Sequence, residues 1–143
     1  MTRKSRGRPT DAELAILRIL WDHGACTVRQ VHDLLEPPQP IGYTTVLKTM
    51  QIMFDKGLLE RDESERAHRY TARLTEEKTQ QGLVRDLLDR AFSGSAARMV
   101  MQALATRRAS REEIEQIRRL LDEVGARHGA DPGSDPESEN EVP

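Results

Sequence analysis

The sequence predicts a mainly α-helical protein with a small β-wing: a winged helix-turn-helix DNA-binding domain followed by a helical dimerisation region. Three observations carry this. Apolar residues recur at helical spacing behind repeated N-cap signals over residues 10–56. Two short strand-like runs follow at once, over residues 58–71. Three further apolar helices come after them, with no sheet to cover.

The first helix opens at Thr10-Asp11-Ala12-Glu13, a capping box in which Glu13 reaches back to the free N–H of Thr10. Leu14, Leu17, Leu20 and Trp21 line one face behind it, and Gly24 stops it. Thr27-Val28-Arg29-Gln30 repeats the box for a shorter helix with Val31, Leu34 and Leu35 inward. The prolines of Glu36-Pro37-Pro38-Gln39-Pro40 break that helix because they donate no backbone hydrogen bond.

The third helix begins near Gly42–Thr44, runs to about Lys56 and closes at Gly57. Val46, Met50, Met53 and Phe54 form its buried stripe, with Leu47 at the edge. Thr44, Thr45, Lys48, Thr49 and Ile52 fall on the opposite face. A solvated helix normally shows more Glu/Lys pairs there, whereas small hydroxyl and methyl groups beside one lysine suit base edges and phosphates. An ordinary amphipathic helix with incidental threonines is the bland alternative.

Leu58-Leu59-Glu60-Arg61 reads as a strand, Asp62-Glu63-Ser64-Glu65 as a turn, and Ala67-His68-Arg69-Tyr70-Thr71 as the returning strand. Arg66 and Arg69 are then the natural phosphate contacts of the wing, or else simply solvated charge. The acids at 62, 63 and 65 oppose deep entry of the wing tip into a groove.

Here the chain resembles a known family. The order TDAELAILRILWDHGACTVRQVHDLL, then GYTTVLKTMQIMFDKGLLERD and HRYTA, is similar to the penicillinase-repressor family, the BlaI, MecI and CopY type of transcriptional regulator. The likeness spans roughly residues 8–125. Its most specific pieces are the Ala-Glu-Leu…Ile-Leu…Trp first helix, Tyr-Thr-Thr-Val-Leu, and Lys-Gly-Leu-Leu-Glu-Arg. It implies a homodimeric repressor of a palindromic operator on double-stranded DNA, acting in antibiotic response. Its base-reading positions fall on Thr44, Thr45, Lys48 and Thr49.

Beyond the wing, Thr75 caps a helix with a stripe of Leu83, Val84, Leu87, Leu88, Ala91 and Phe92, which Ser93-Gly94-Ser95 breaks. Ala96, Ala97, Met99, Val100, Met101 and Leu104 make a short apolar helix. Ser110-Arg111-Glu112-Glu113 caps a third, with Ile114, Ile117, Leu120, Leu121 and Val124 inward. Small helices without a sheet point to a two-chain core; folding back on the winged helix is the alternative. The residues assigned to dimerisation are Leu83, Leu87, Leu88, Phe92, Met99, Ile114, Ile117 and Leu121.

The expected organisation is a basic flexible arm at 1–9, the DNA-binding domain at 10–73, the dimerisation region at 74–128 and an acidic disordered tail at 129–143. The chain has 143 residues, only 3% of them aromatic, so bulky core material is scarce. Its net charge of −2 becomes +3 without the tail's five acids. Arg3, Lys4, Arg6 and Arg8 in the arm suit phosphate, or are a plain basic terminus.

Two departures from the family matter. Copper-responsive members carry a cysteine-rich metal motif, and this chain has only Cys26. His23, Cys26 and His32 have no recognised ligand spacing, so no metal or cofactor is expected. In β-lactam-responsive members a membrane sensor-protease pathway leads to a cut at an Asn-Phe bond in the dimerisation region. The bond at that place here is Gln102-Ala103, so either that release is lost or its sequence preference differs.

No apolar run approaches the ~20 residues of a membrane span, and no apolar segment follows the basic N-terminus as a secretion signal requires. Cytoplasm is the expected location, with no membrane insertion. No phosphate loop or catalytic Cys or His motif is present, so an enzyme is not expected. A docking module is a rival, since winged helices also serve that role. A second rival adds direct small-molecule sensing to DNA binding, although no pocket residues are identifiable.

Overall fold

The structure is a computed structural model that describes residues 8–35 and 41–129. Most of the basic arm, the Pro-rich break at 36–40 and the acidic tail from residue 130 lie outside the described residues. The chain forms two compact units that divide between Gly94 and Ser95.

The first unit starts with α1 (Asp11–His23), and its N-terminus shows the whole capping box. Glu13 N donates to Thr10 Oγ1 at 3.2 Å and Thr10 N donates to Glu13 Oε1 at 2.9 Å, so two otherwise free donors are answered. The same exchange between Thr27 and Gln30 opens α2 (Val28–Leu34), at 3.1 and 2.8 Å. The third helix, α3 (Tyr43–Asp55), has Gly42 at its N-cap with no side-chain cap. It ends through Lys56 into Gly57, whose φ of +85° is open to glycine without strain.

These helices meet in one core of Ile16, Leu17, Leu20, Val28, Val31, Val46, Met50 and Met53, with Leu58, Leu59 and Tyr70 from the wing. The α3 stripe is as expected, with Val46, Met50 and Met53 sealed and Phe54 half-buried. Two details of the expected stripes need correction. In α1, Ile16 is buried, while Leu14 and Trp21 are only half-buried around the cluster. In α2, Val31 is inward but Leu34 is exposed and Leu35 half-buried, with Val28 taking the second inward place. With only seven residues, α2 ends at Leu34 and the backbone turns extended at Leu35, so its last turn overhangs the core.

Glu13 is the one buried charged residue among those described, at 4% exposure. Lys56 Nζ, from the C-cap of α3, reaches its two carboxylate oxygens at 2.8 and 3.0 Å. A buried charge is tolerated only when paired and hydrogen-bonded, and Glu13 meets both conditions.

The wing consists of β1 (Leu59–Asp62) and β2 (Arg69–Ala72), antiparallel with Arg61 opposite Tyr70. Both strands sit one residue or more later than the sequence pattern suggests, and the turn is longer. A third segment completes it. Cys26, in the α1–α2 link, pairs with the other edge of β2 through Cys26 N to Tyr70 O (3.1 Å) and Tyr70 N to Cys26 O (2.8 Å). The thiol is buried there, which pushes its pKa up, and Arg69 opposes the shift.

After the wing, α4 (Glu76–Ala91) starts at the Thr75 cap and contains no buried residue. Trp21 Nε1 donates to Leu74 O at 3.0 Å, holding the approach to α4 against α1. The second unit holds α5 (Ala96–Thr106), capped by Ser95, and α6 (Arg111–Gly129), capped by Ser110. None of their described residues is buried either. No helix among the described residues is long and apolar enough to cross a membrane.

The Glu13–Lys56 pair makes an asymmetric prediction. Lys56→Met leaves a charge buried without its partner and is expected to cost about 3 kcal/mol. Glu13→Gln keeps the bond to Thr10 N and frees a lysine that can turn to water, and is expected to cost about 1 kcal/mol. Urea denaturation of both variants checks the order, and equal costs would contradict it.

Candidate nucleic-acid interface

Helical spacing places Thr44, Thr45, Lys48 and Ile52 on the face of α3 away from Val46, Met50 and Met53, and all four are exposed. Lys48 has no carboxylate partner among the described residues, and neither Thr44 nor Thr45 spends its hydroxyl on a hydrogen bond there. Thr49 differs. It is half-buried at the edge of the face, and its Oγ1 donates to Thr45 O at 2.8 Å. Its proton is therefore committed, leaving an acceptor lone pair and a methyl group to face outward. Asp55 is exposed near the C-terminal end of the same face, so the N-terminal half is the part suited to an anionic surface.

Two of the three wing-tip acids pair with arginines of the wing, while the third, Asp62, is held as an anion by a backbone N–H. Glu63 pairs with Arg61 at 2.7 Å and Glu65 with Arg69 at 3.7 Å. The Asp62 carboxylate accepts from Ser64 N at 2.9 Å, and this bond chiefly holds its pKa below the usual range. Arg66 is exposed at the tip with no acid partner among the described residues. Arg69, by contrast, is half-buried and engaged by Glu65, so the two wing arginines are not equivalent.

Arg61 fixes the wing to α3. Its guanidinium lies 4.0 Å from the Phe54 ring centroid and donates to Glu63 at 2.7 Å, and its pKa is raised chiefly by the Tyr70 side chain and then by Glu63. Beside the outer face, Arg29 of α2 stacks over the Tyr43 ring at 4.8 Å, and His32 meets that ring edge-on at 6.1 Å. These contacts join residues whose spacing in sequence carries no signal of their meeting, and sequence reasoning missed Arg29 and Tyr43. The nearest hint is their charge and aromaticity at helix starts.

Of the arm, only Arg8 and Pro9 are described. Arg8 is bridged to Asp86 of α4 at 2.9 Å, so its charge is partly answered within the protein.

None of the residues assigned to dimerisation is buried in the single chain. In α4, Leu83, Leu88 and Phe92 are half-buried and Leu87 is exposed; in α5, Met99 is half-buried. In α6, Ile114 and Ile117 are half-buried and Leu121 is 61% exposed. Gln102 and Ala103 are exposed but lie inside α5, where Gln102 O accepts from Thr106 Oγ1 and Ala103 O from Arg107 N. A protease needs an extended strand of substrate, so cutting that bond requires α5 to unwind locally. Among the described residues no group of three or more His, Cys, Asp or Glu is placed to hold a metal ion, and the free thiol of Cys26 is buried beside the wing.

Three helices, a wing pinned to the third, and a hydroxyl-bearing outer face on that helix define a winged helix-turn-helix protein. Comparison with known proteins narrows the class. The family model described as penicillinase repressor matches residues 9–123. The transcriptional regulator BlaI of Mycobacterium tuberculosis, in strains CDC 1551 / Oshkosh and ATCC 25618 / H37Rv, is 33% identical over 123 residues, covering 85% of this chain and 88% of the relative. The penicillinase repressor of Bacillus licheniformis is 25% identical over 114 residues, covering 80% and 89%. The chain belongs to the penicillinase-repressor family, whose members are non-enzymatic transcriptional regulators.

The Arg61 contact is open to a direct check. Arg61→Gln removes the cation from the Phe54 face and is expected to lower the urea midpoint. An unchanged urea midpoint would mean that the backbone ladder alone holds the wing.

Proposed function

We propose that the protein represses transcription by binding, as a homodimer, an inverted-repeat operator in promoter DNA, with α3 of each copy in a major groove. One observation carries this reading. The outer face of α3 presents Thr44, Thr45 and Lys48, which has no acid partner among the described residues, to solvent, on a helix whose opposite face is sealed at Val46, Met50 and Met53. A rigid helix with small hydroxyl groups and one cation outward suits close approach to base edges. Arg66 supplies a phosphate contact from the wing, and the place of action is the cytoplasm, where such an operator is found.

Dimerisation is supported by the apolar surface that the single chain leaves open. Val84 and Leu87 of α4, Val100 and Met101 of α5, and Leu120 and Leu121 of α6 are each more than 40% exposed. Exposed apolar surface on this scale marks an interaction site, and a twofold dimer matches a palindromic site. A sensor-protease pathway remains a proposed partner, and release through Gln102-Ala103 would couple to unwinding of α5.

Retardation of the DNA upstream of the protein's own gene tests the reading, since a docking module would not retard it selectively. Lys48→Ala is expected to cost ~1–3 kcal/mol in affinity if the lysine reads a base, or to lower the salt slope by about one if it meets phosphate. Thr49→Val keeps the outward methyl and is expected to weaken binding less than Thr45→Val, whose hydroxyl is uncommitted. The reverse order would contradict these assignments.

The dimer carries its own test. Sedimentation equilibrium is expected to give twice the chain mass of 16.2 kDa, and Leu121→Asp is expected to shift the population to monomer. A wild-type monomer at micromolar concentration would exclude the dimeric reading.

A further inference from the structure

We propose that the concavity between α2, α3 and the wing tip is a seat for one backbone phosphate of bound DNA, with Arg29 as its fixed cation and Arg66 closing it from the wing. This rests on the DNA-binding reading above and adds a contact that neither the α3 face nor the wing supplies alone.

The concavity has a volume of about 360 Å³ and is lined chiefly by Thr27, Arg29, Tyr43, Leu47, Arg66 and His68. No carboxylate among the described residues lines it. Arg29 and Arg66 have no acid partner among the described residues, whereas Arg61 and Arg69 of the same wing are paired with Glu63 and Glu65. The nearest acid on α2 is Asp33, whose carboxylate lies 3.5 Å from His32 Nδ1. Both arginines that line the concavity are thus without an acid partner among the described residues.

Arg29 is also held in position. Its guanidinium lies over the Tyr43 ring at 4.8 Å, and His32 abuts that ring at 75°. Contact with a ring spends none of a guanidinium's N–H donors on an acid, and their planar fork suits the paired oxygens of a phosphate. Arg29 keeps this geometry without DNA, so less side-chain freedom is lost on binding.

The place fits the proposed docking. Tyr43 and Leu47 lie one helical row from Thr44 and Lys48, between the buried stripe and the outer face of α3. A major groove that receives Thr44 and Lys48 brings a flanking phosphodiester to that side. Phosphate contacts of this kind set register and orientation and carry no base information.

The test compares wild type, Arg29→Gln, Tyr43→Leu and Tyr43→Phe by fluorescence anisotropy across a salt series, with thermal unfolding to verify each fold. On a short duplex of arbitrary sequence, Arg29→Gln is expected to lower the log–log salt slope by about 0.9, the value for one phosphate. The loss on the protected upstream duplex should be similar. Tyr43→Phe should behave as wild type and Tyr43→Leu should follow Arg29→Gln. Single neutral methylphosphonates placed along the protected duplex should reveal one position that weakens wild type and does not further weaken Arg29→Gln.

A wild-type slope and affinity for Arg29→Gln would overturn the seat while leaving operator binding intact. So would additive losses at every methylphosphonate position, which would make Arg29 a structural residue. Inorganic phosphate bound to the DNA-free protein through Arg29, with no methylphosphonate effect, would assign the seat to a free anion and overturn it as well. Failure of wild type to retard its upstream DNA strikes the functional reading instead.

Discussion

A carboxylate taken out of water must have its oxygens answered, and the way Glu13 is answered sets the geometry of the reading domain. One oxygen accepts the Thr10 N–H that begins α1, and the Lys56 ammonium that follows α3 approaches both. The start of the first helix and the end of the third are thereby joined at one buried point. Such pairs add little net stability over apolar groups of equal shape, yet breaking one is costly. Its effect here is directional. With that end tied, and with Val46, Met50 and Met53 locked into the core, α3 has a single way to turn its threonines outward.

The wing depends on the same core from the other side. Tyr70 is buried at the centre of the sheet, paired on one edge with Arg61 and on the other with Cys26. Arg61 in turn lies on Phe54 of α3. A hairpin of two four-residue strands is marginal by itself. Three attachments to the helical core make this one a fixed part of the surface around α3, and they bring Arg66 and His68 to face Arg29 and Tyr43 across a shared hollow. The C-terminal half follows the opposite logic. Its helices are well capped by Thr75, Ser95 and Ser110, yet none of their apolar residues is buried, and the proposed second copy would cover them.

How much of this was legible in the sequence follows from the range of each interaction. The capping boxes at Thr10 and Thr27, the close of α3 at Gly57 and the break at Ser93–Gly94 are written in three or four neighbouring residues, and they are where the pattern put them. The α3 stripe was legible because helical spacing is a local code. Leu34 was misread because periodicity does not say where a short helix runs off the edge of its core. The Glu13–Lys56 pair, the Cys26–Tyr70 bridge and the Arg29–Tyr43 stack join residues far apart in the chain, and no spacing rule announces them. Local pairing at the wing was equally hidden: Glu63 and Glu65 meet Arg61 and Arg69 in the fold, and the Asp62 carboxylate accepts from Ser64 N.

Hydroxyl-radical footprinting of the DNA upstream of the protein's own gene tests the central claim most directly. Two copies that each place α3 in a major groove should protect two symmetric patches whose centres lie about one helical turn, ~34 Å, or a whole multiple of it apart. The patches should coincide with the halves of an inverted repeat. A single unsymmetric patch, or protection that follows no repeat, would contradict the twofold reading of DNA by this chain.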